Sequence, residues 1–339
     1  MGYILIHIVP SICTGFFAQL ILHETGHLFF GCVTGWKFLF LQVHRIVIKK
    51  ADSKLRLILV NDKNYKCIMS PKSVDSDALL YTMGGCIVNM VSGLVGFLLI
   101  THINIKPVLW LYIWSFSAFG AGLFIMNGTA RIKRVCNDKA CYDLLKENIH
   151  TRICHNAQLM AATYLAKGLT YGQIDKEFLC MDSKTAGNDI EAYQAVLEYY
   201  YYLDTGNYSR AGQALDKVKP TVNVSKEIKD IIEAERIYIK IVLSIKFNND
   251  GDINYNFSGG INELIKKGDV HFTRIMTAMK AYIEYKAGNI NNALDVLNES
   301  INMTEKTLYV YEGEKVFCMR QLEDMKSILE NELQNSVYK

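Results

Sequence analysis

The sequence predicts an α-helical membrane protein in which three membrane-spanning helices and a small β-hairpin precede a soluble α-solenoid. Three observations predict this. Formal charges are nearly absent from two apolar stretches: residues 1–41 carry only Glu24 and Lys37, and residues 78–130 only Lys106. A basic segment, residues 42–77, lies between them with eight Lys or Arg against four acids. Residues 131–339 then hold 27 basic and 29 acidic residues, the balance of a domain that meets water. The mean hydropathy of +0.09 is therefore an average over two unlike halves. With 20 Tyr, 15 Phe and only 4 Pro the chain has too much apolar bulk to stay disordered. A net charge of +3 is too small for a strongly basic nucleic-acid binder.

Taken in order, the first element is an apolar segment over residues 3–33. About 20 such residues cross a hydrocarbon layer, and residues 79–100 and 108–126 qualify too. All three tryptophans, Trp36, Trp110 and Trp114, fall at or near segment ends, where aromatic anchors are expected. The first segment lacks a basic leader and is long for a signal peptide, so it counts as a span. Phe38–Lys49 and Leu55–Val60 are rich in β-branched and aromatic residues around the turn Ala51-Asp52-Ser53-Lys54, which predicts a hairpin over about 38–60. Its edge is suited to pair with an extended chain, and His44 reads as a sheet residue.

Cationic loops stay cytoplasmic. The basic hairpin segment and Arg131, Lys133 and Arg134 therefore belong inside, with the N-terminus outside and the C-terminal domain cytoplasmic. An integral protein of a bacterial cell membrane is expected. Nine Cys without a CxxC pair fit a reducing compartment or a membrane interior, with Cys13, Cys32 and Cys86 as packing residues.

From about Ala140 the pattern is helical. Gly206-Asn207 with Ala211 and Leu215 recurs as Gly288-Asn289 with Ala293 and Leu297, each after a Tyr-containing helix. This is similar to tetratricopeptide-like helix hairpins without their usual period. A middle pair around 234–247 and 261–267 completes a helical-repeat domain over about 150–335. The run Tyr199–Tyr202 reads as helix packing, and His150, His155 and His271 show no ligand spacing. Such a domain suits a protein partner.

Within the first apolar segment lies His23-Glu24-Thr25-Gly26-His27. Residues i and i+4 share a helix face, so both imidazoles can address one ion, with Glu24 placed to act on a metal-bound water. Ionisable groups in a bilayer span survive when paired, metal-bound or hydrated. Two histidines are one ligand short of a usual catalytic zinc. Val33 occupies the position where an extended motif carries a third His, and His7 and His102 lie towards the far ends of their segments.

Two further motifs follow in order: Gly84-Gly85-Cys86-Ile87-Val88-Asn89 at the start of the second span, and Asn137-Asp138 after the third. Together with the histidine motif they resemble the site-2 protease family of intramembrane zinc metalloproteases, over roughly residues 10–145. The resemblance implies a three-helix metalloprotease core over 1–145 with one Zn2+ per chain. It implies His23, His27 and Asp138 as ligands, Glu24 as the base, and Asn89, Gly84 and Gly85 near bound substrate. The same run also reads as a polar helix–helix contact made close by Gly84, Gly85 and Gly93. Lys139 stands where the family has Gly after the Asp, the Pro expected before it is missing, and Asp143 is the nearest substitute ligand.

Depth supplies an independent comparison. At 1.5 Å per residue Glu24 lies about 18 Å from the Trp36 end of its span, and Gly84–Asn89 about 8–15 Å from the same face. Asp138 follows Asn127 by eleven residues, so the chain has to turn back to reach the histidines. The expected activity is an intramembrane endopeptidase that cuts a transmembrane or membrane-associated peptide near the cytoplasmic side. The competing expectation is a non-catalytic membrane scaffold that recruits a partner through its helical domain.

Overall fold

A computed structural model describes residues 2–51, 54–130, 137–180, 185–247 and 269–337. The chain divides into two compact units. One comprises Met1–Leu57 with Asn64–Leu159, the other Met160–Lys339 with the short stretch Ile58–Lys63.

In the first unit, α1 (Gly2–Leu5) and α2 (Ile8–Val33) are separated by a turn at Ile6 and His7, so the expected continuous segment 3–33 is broken near its start. The strands β1 (Lys37–Ala51) and β2 (Lys54–Ser70) form a two-stranded sheet, followed by α3 (Leu79–His102), α4 (Pro107–Gly128), α5 (Asp138–Glu147) and α6 (Ile149–Ala166), the last of which continues past Leu159 into the second unit. Helices α2, α3 and α4 pack against one another. Asn156 of α6 donates to the carbonyls of Val74 and Ser76 at 2.8 and 2.7 Å, fastening α6 to the segment before α3.

The three-helix bundle is inverted relative to a water-soluble core. It buries Ser11, Gly15, Gln19, His23, Glu24 and His27 of α2, Thr82, Gly84, Gly85 and Asn89 of α3, and Ser115, Ser117 and Gly120 of α4. Phe17, Phe29, Leu94, Leu98, Leu109 and Ile125 point outward and are exposed. Water-soluble helices do the opposite, whereas small and polar contacts between apolar helices suit packing in lipid. Among the described residues α3 and α4 are long and apolar enough to cross a membrane. Helix α2 has the length, 26 residues, but does not join them. Gln19, His23, Glu24 and His27 lower its hydropathy, so the described residues show two of the three expected spans.

Close approach depends on glycine. A Cβ at Gly26 would fall 2.5 Å from the Gly84 carbonyl oxygen, and one at Gly84 2.6 Å from that of Gly26, so α2 and α3 touch backbone to backbone.

The hairpin is longer than its apolar pattern suggests. β2 runs on through Asn61–Lys66 to Ser70, because the 15 residues of β1 offer a full-length partner to a polar stretch that reads alone as a loop. The turn residues Asp52 and Ser53 lie outside the described residues. His44 is in β1 as expected, but with φ +58, an uncommon left-handed conformation for a residue with a side chain. Trp36 departs from the anchor expected of it: it is buried, its ring 4.5 Å from that of Tyr81. Trp110 and Trp114 are exposed.

The second unit contains the three-residue 3-10 turn Tyr171–Gln173, α7 (Lys176–Leu179), α8 (Asp189–Asp204), α9 (Tyr208–Leu215), α10 (Lys226–Phe247), α11 (Val270–Lys286), α12 (Ile290–Lys306) and α13 (Glu312–Val337). The two sequence-similar stretches form the helix pairs α8/α9 and α11/α12. Each pair turns at its glycine in the same way. Asn207 N–H bonds to the Tyr202 carbonyl and Gly206 N–H to that of Leu203; Asn289 and Gly288 do the same with Glu284 and Tyr285. These are Schellman ends, with φ +74 at Gly206 and +81 at Gly288. Residues 261–267, expected to pair with α10, lie outside the described residues.

Tyr199, Tyr200 and Tyr202 are buried, in line with packing. Tyr200 Oη donates to Glu235 Oε1 at 2.8 Å, and Arg274 bonds both oxygens of the same carboxylate at 2.6 Å, the pair being shut off from solvent. His271 stacks on Tyr200 with ring centroids 4.4 Å apart and meets Tyr171 Oη at 3.1 Å. Burial, reinforced by the charge of Arg274, pushes the His271 imidazole well below its usual range, so it is held neutral.

Two outcomes follow for stability. A base whose folded pKa is depressed contributes fully above its unfolded value, about 6.5, and loses that contribution as pH falls towards the folded one. Thermal melts of the full chain should therefore weaken between pH 7.5 and 5, with a smaller drop in a His271→Phe variant. Gly288→Ala, with nothing within 4 Å of the added methyl, should cost about 1–2 kcal/mol from the left-handed backbone alone, read as a lower melting temperature.

Candidate metal centre

One turn of α2 sets His23 and His27 on the same face, with ring centroids 5.0 Å apart and Nε2 atoms 3.3 Å apart. Both rings are buried. Each Nδ1 is committed to an acceptor. His23 Nδ1–H donates to Asn89 Oδ1 at 3.2 Å, and His27 Nδ1–H to the Tyr81 carbonyl at 2.7 Å, both on α3. With the protons on Nδ1, the two Nε2 lone pairs point into one space.

Asp138 completes the group. Its Oδ2 lies 3.1 Å from His23 Nε2 and 3.5 Å from His27 Nε2. It opens α5, a helix that packs on α3, and Asn137 explains how the chain returns. The Asn137 side chain donates to the carbonyls of Met126 and Thr129 at 2.9 and 2.7 Å, tying this point to the end of α4. The same side chain accepts from Ala140 N–H at 3.1 Å as the N-cap of α5. Residues 131–136 lie outside the described residues. Burial pushes the Asp138 carboxyl up, but when His23 and His27 carry protons on Nε2 as well, their hydrogen bonds and charge outweigh burial and hold the group well below the usual carboxylate range, a place a bound cation would take over from those protons. The carboxylate is thus anionic, the form that binds cations.

Two imidazole nitrogens and a carboxylate oxygen within 4.8 Å of one another could hold a metal ion. Glu24 is buried next to them, facing the backbone of Cys67 on β2 and close enough to interact electrostatically with His27, His23 and Asp138. Cys86, buried on α3, donates to Asp138 Oδ2 at 3.4 Å.

The remaining sequence candidates fall as follows. Gly85 lies under the His23 ring, where a Cβ would come within 2.5 Å of its Cε1, and Gly84 is the backbone contact with Gly26. Both glycines, like Asn89, are therefore engaged in seating the histidines. Asp143 is turned to Lys139 in an ion pair and is not in the group. His7 meets Tyr112, and His102 ends α3 beside Thr101.

Three further groups serve the site in roles that the sequence motifs do not assign. The Tyr81 carbonyl carries no sequence signal. Asn137 is visible as an Asx residue before a helix. Gln19, fully buried, stands one turn before His23 on the same face, and a search confined to ionisable residues passes over it.

No family model matches the sequence, and comparison with curated proteins and with solved structures finds no match.

If these three side chains are the ligands, His23→Ala and Asp138→Ala chains purified in detergent should lose bound metal by elemental analysis. Asp143→Ala should keep it.

Proposed function

We propose that the protein is an intramembrane zinc endopeptidase that cuts a transmembrane or membrane-associated peptide. The observation that carries this is the triangle of His23 Nε2, His27 Nε2 and Asp138 Oδ2, with edges of 3.3, 3.1 and 3.5 Å. Ligands bonded at about 2.0–2.1 Å in tetrahedral array stand about 3.3–3.4 Å apart, which the triangle matches with one corner left open. Three protein ligands with an open position is the arrangement of catalytic rather than structural zinc.

Bound there, zinc would supply Lewis-acid polarisation of a peptide carbonyl and a water acidified towards neutral pH. The residues supply the rest. Asn89 and the Tyr81 carbonyl orient the imidazoles. Glu24, one residue from His23, takes the proton from the attacking water and returns it to the leaving amine. A substrate helix has its carbonyls bonded internally, so it must unwind locally before one is open to attack.

The membrane assignment is supported by the two apolar helices and by a bundle that exposes its large apolar side chains while burying small and polar ones. In this reading α2 is the third span, admitted because its polar residues face α3 and α4. Lys49, Lys50, Lys54 and Arg56 on the hairpin favour its placement at the cytoplasmic face, and the helical unit is assigned to a partner or substrate.

Glu24→Gln separates a peptidase from a scaffold. The variant should retain zinc yet slow cleavage of a reconstituted transmembrane peptide by about 10²–10⁴-fold. Cleavage unchanged by that substitution contradicts the proposal.

A further inference from the structure

Beyond the ligands, α2, α3 and α4 enclose a chain of uncharged polar side chains that reaches His23 from the interior. Asn89 and Gln19 are both fully buried. Gln19 Nε2 donates to the Phe116 carbonyl and to Ser92 Oγ, each at 3.1 Å. Ser92 Oγ lies 3.2 Å from Gln19 Oε1 and 3.3 Å from the Asn89 carbonyl. Asn89 Nδ2 is 3.5 Å from the Gln19 carbonyl, and Asn89 Oδ1 is 3.2 Å from His23 Nδ1. Gly120 leaves room for this chain, since a Cβ there would lie 2.8 Å from Gln19 Nε2 and 2.9 Å from the Asn89 carbonyl oxygen.

The order of donors and acceptors is not free. The Phe116 and Gln19 backbone carbonyls can only accept, so each amide must turn its NH2 towards them. That leaves Asn89 Oδ1 facing His23, and an oxygen there demands the proton on Nδ1. A reversed Asn89 amide would place NH2 against Nδ1, force the proton onto Nε2, and remove the lone pair the metal needs. We infer that Gln19, Ser92 and Asn89 are positioning residues that fix the tautomer and orientation of His23, with Asn89 serving as an acceptor towards the imidazole rather than as a donor towards substrate. The inference rests on the metal-centre proposal above. Outer hydrogen bonds of this kind typically set metal affinity by 10–100-fold.

The two roles of Asn89 need opposite chemistry, so one pair of variants distinguishes them. Asn89→Asp keeps an acceptor and loses the donor; Asn89→Leu loses both. Zinc affinity of the full chain in detergent is measured by competition with a chromophoric chelator. Asn89→Leu should bind zinc about 10–100-fold more weakly than wild type, and Asn89→Asp should recover most of that loss. Gln19→Met should fall between. The ¹⁵N spectrum of zinc-loaded wild type should show His23 Nδ1 protonated. Wild-type affinity in Asn89→Leu overturns the inference, and so does an Asn89→Asp chain as weak as Asn89→Leu, which would mark a merely structural role. A wild-type chain that takes up no zinc at all sinks the metal centre itself, a result distinct from either.

Discussion

Everything at the candidate centre depends on how closely α2 and α3 approach. Gly26 and Gly84 meet with no side chain between them, and the His23 ring lies flat against Gly85. A side chain at Gly26 or Gly84 would force the two backbones apart, and one at Gly85 would displace the His23 ring. His23 would then lose Asn89, and His27 would lose the Tyr81 carbonyl. If the bundle spans a membrane as proposed, no hydrophobic force drives its helices together, and packing of small residues and buried hydrogen bonds supplies the association. The glycines thus do two things at once: they admit the contact, and they bring the acceptors of α3 within reach of both Nδ1 atoms.

The third member of the group, Asp138, is brought in by a different device. Asp138 follows a helix that has already ended, and a chain continuing straight would carry it away. Asn137 holds the chain back by bonding two carbonyls at the end of α4 while capping the start of α5. Asp138 then sits in the first turn of α5, where the helix dipole favours its negative charge. The helical unit uses buried charge differently. There Arg274 and Glu235 neutralise one another inside an aromatic cluster and leave no open coordination position.

Much of this was legible in the sequence. The spacing of His23, Glu24 and His27 places two imidazoles on one face whatever the fold, because helical periodicity decides it. The paired glycines and Asn89 were visible as a motif and as a close, polar contact between helices, but the partners of that contact were not. Sequence spacing cannot show that Gly85 lies under a ring on another helix or that Asn89 turns its oxygen to His23. The extent of β2 was hidden because Asn61–Lys66 is polar, and strand pairing rather than hydropathy carries it. Trp36 looked like a lipid anchor by position, yet Tyr81 draws it into the base of the hairpin. Gly206 and Gly288 announced their turns correctly, since a helix end that needs a positive φ selects glycine strongly.

The central claim is that one zinc is held by His23, His27 and Asp138 with one position open. X-ray absorption at the zinc edge of the purified full-length chain tests it most directly. The account predicts two imidazole nitrogens and oxygen donors at about 2.0–2.2 Å and no sulfur shell. A sulfur shell at about 2.3 Å, which would draw Cys86 into the site and close the open position, or a spectrum without imidazole scattering, would contradict it.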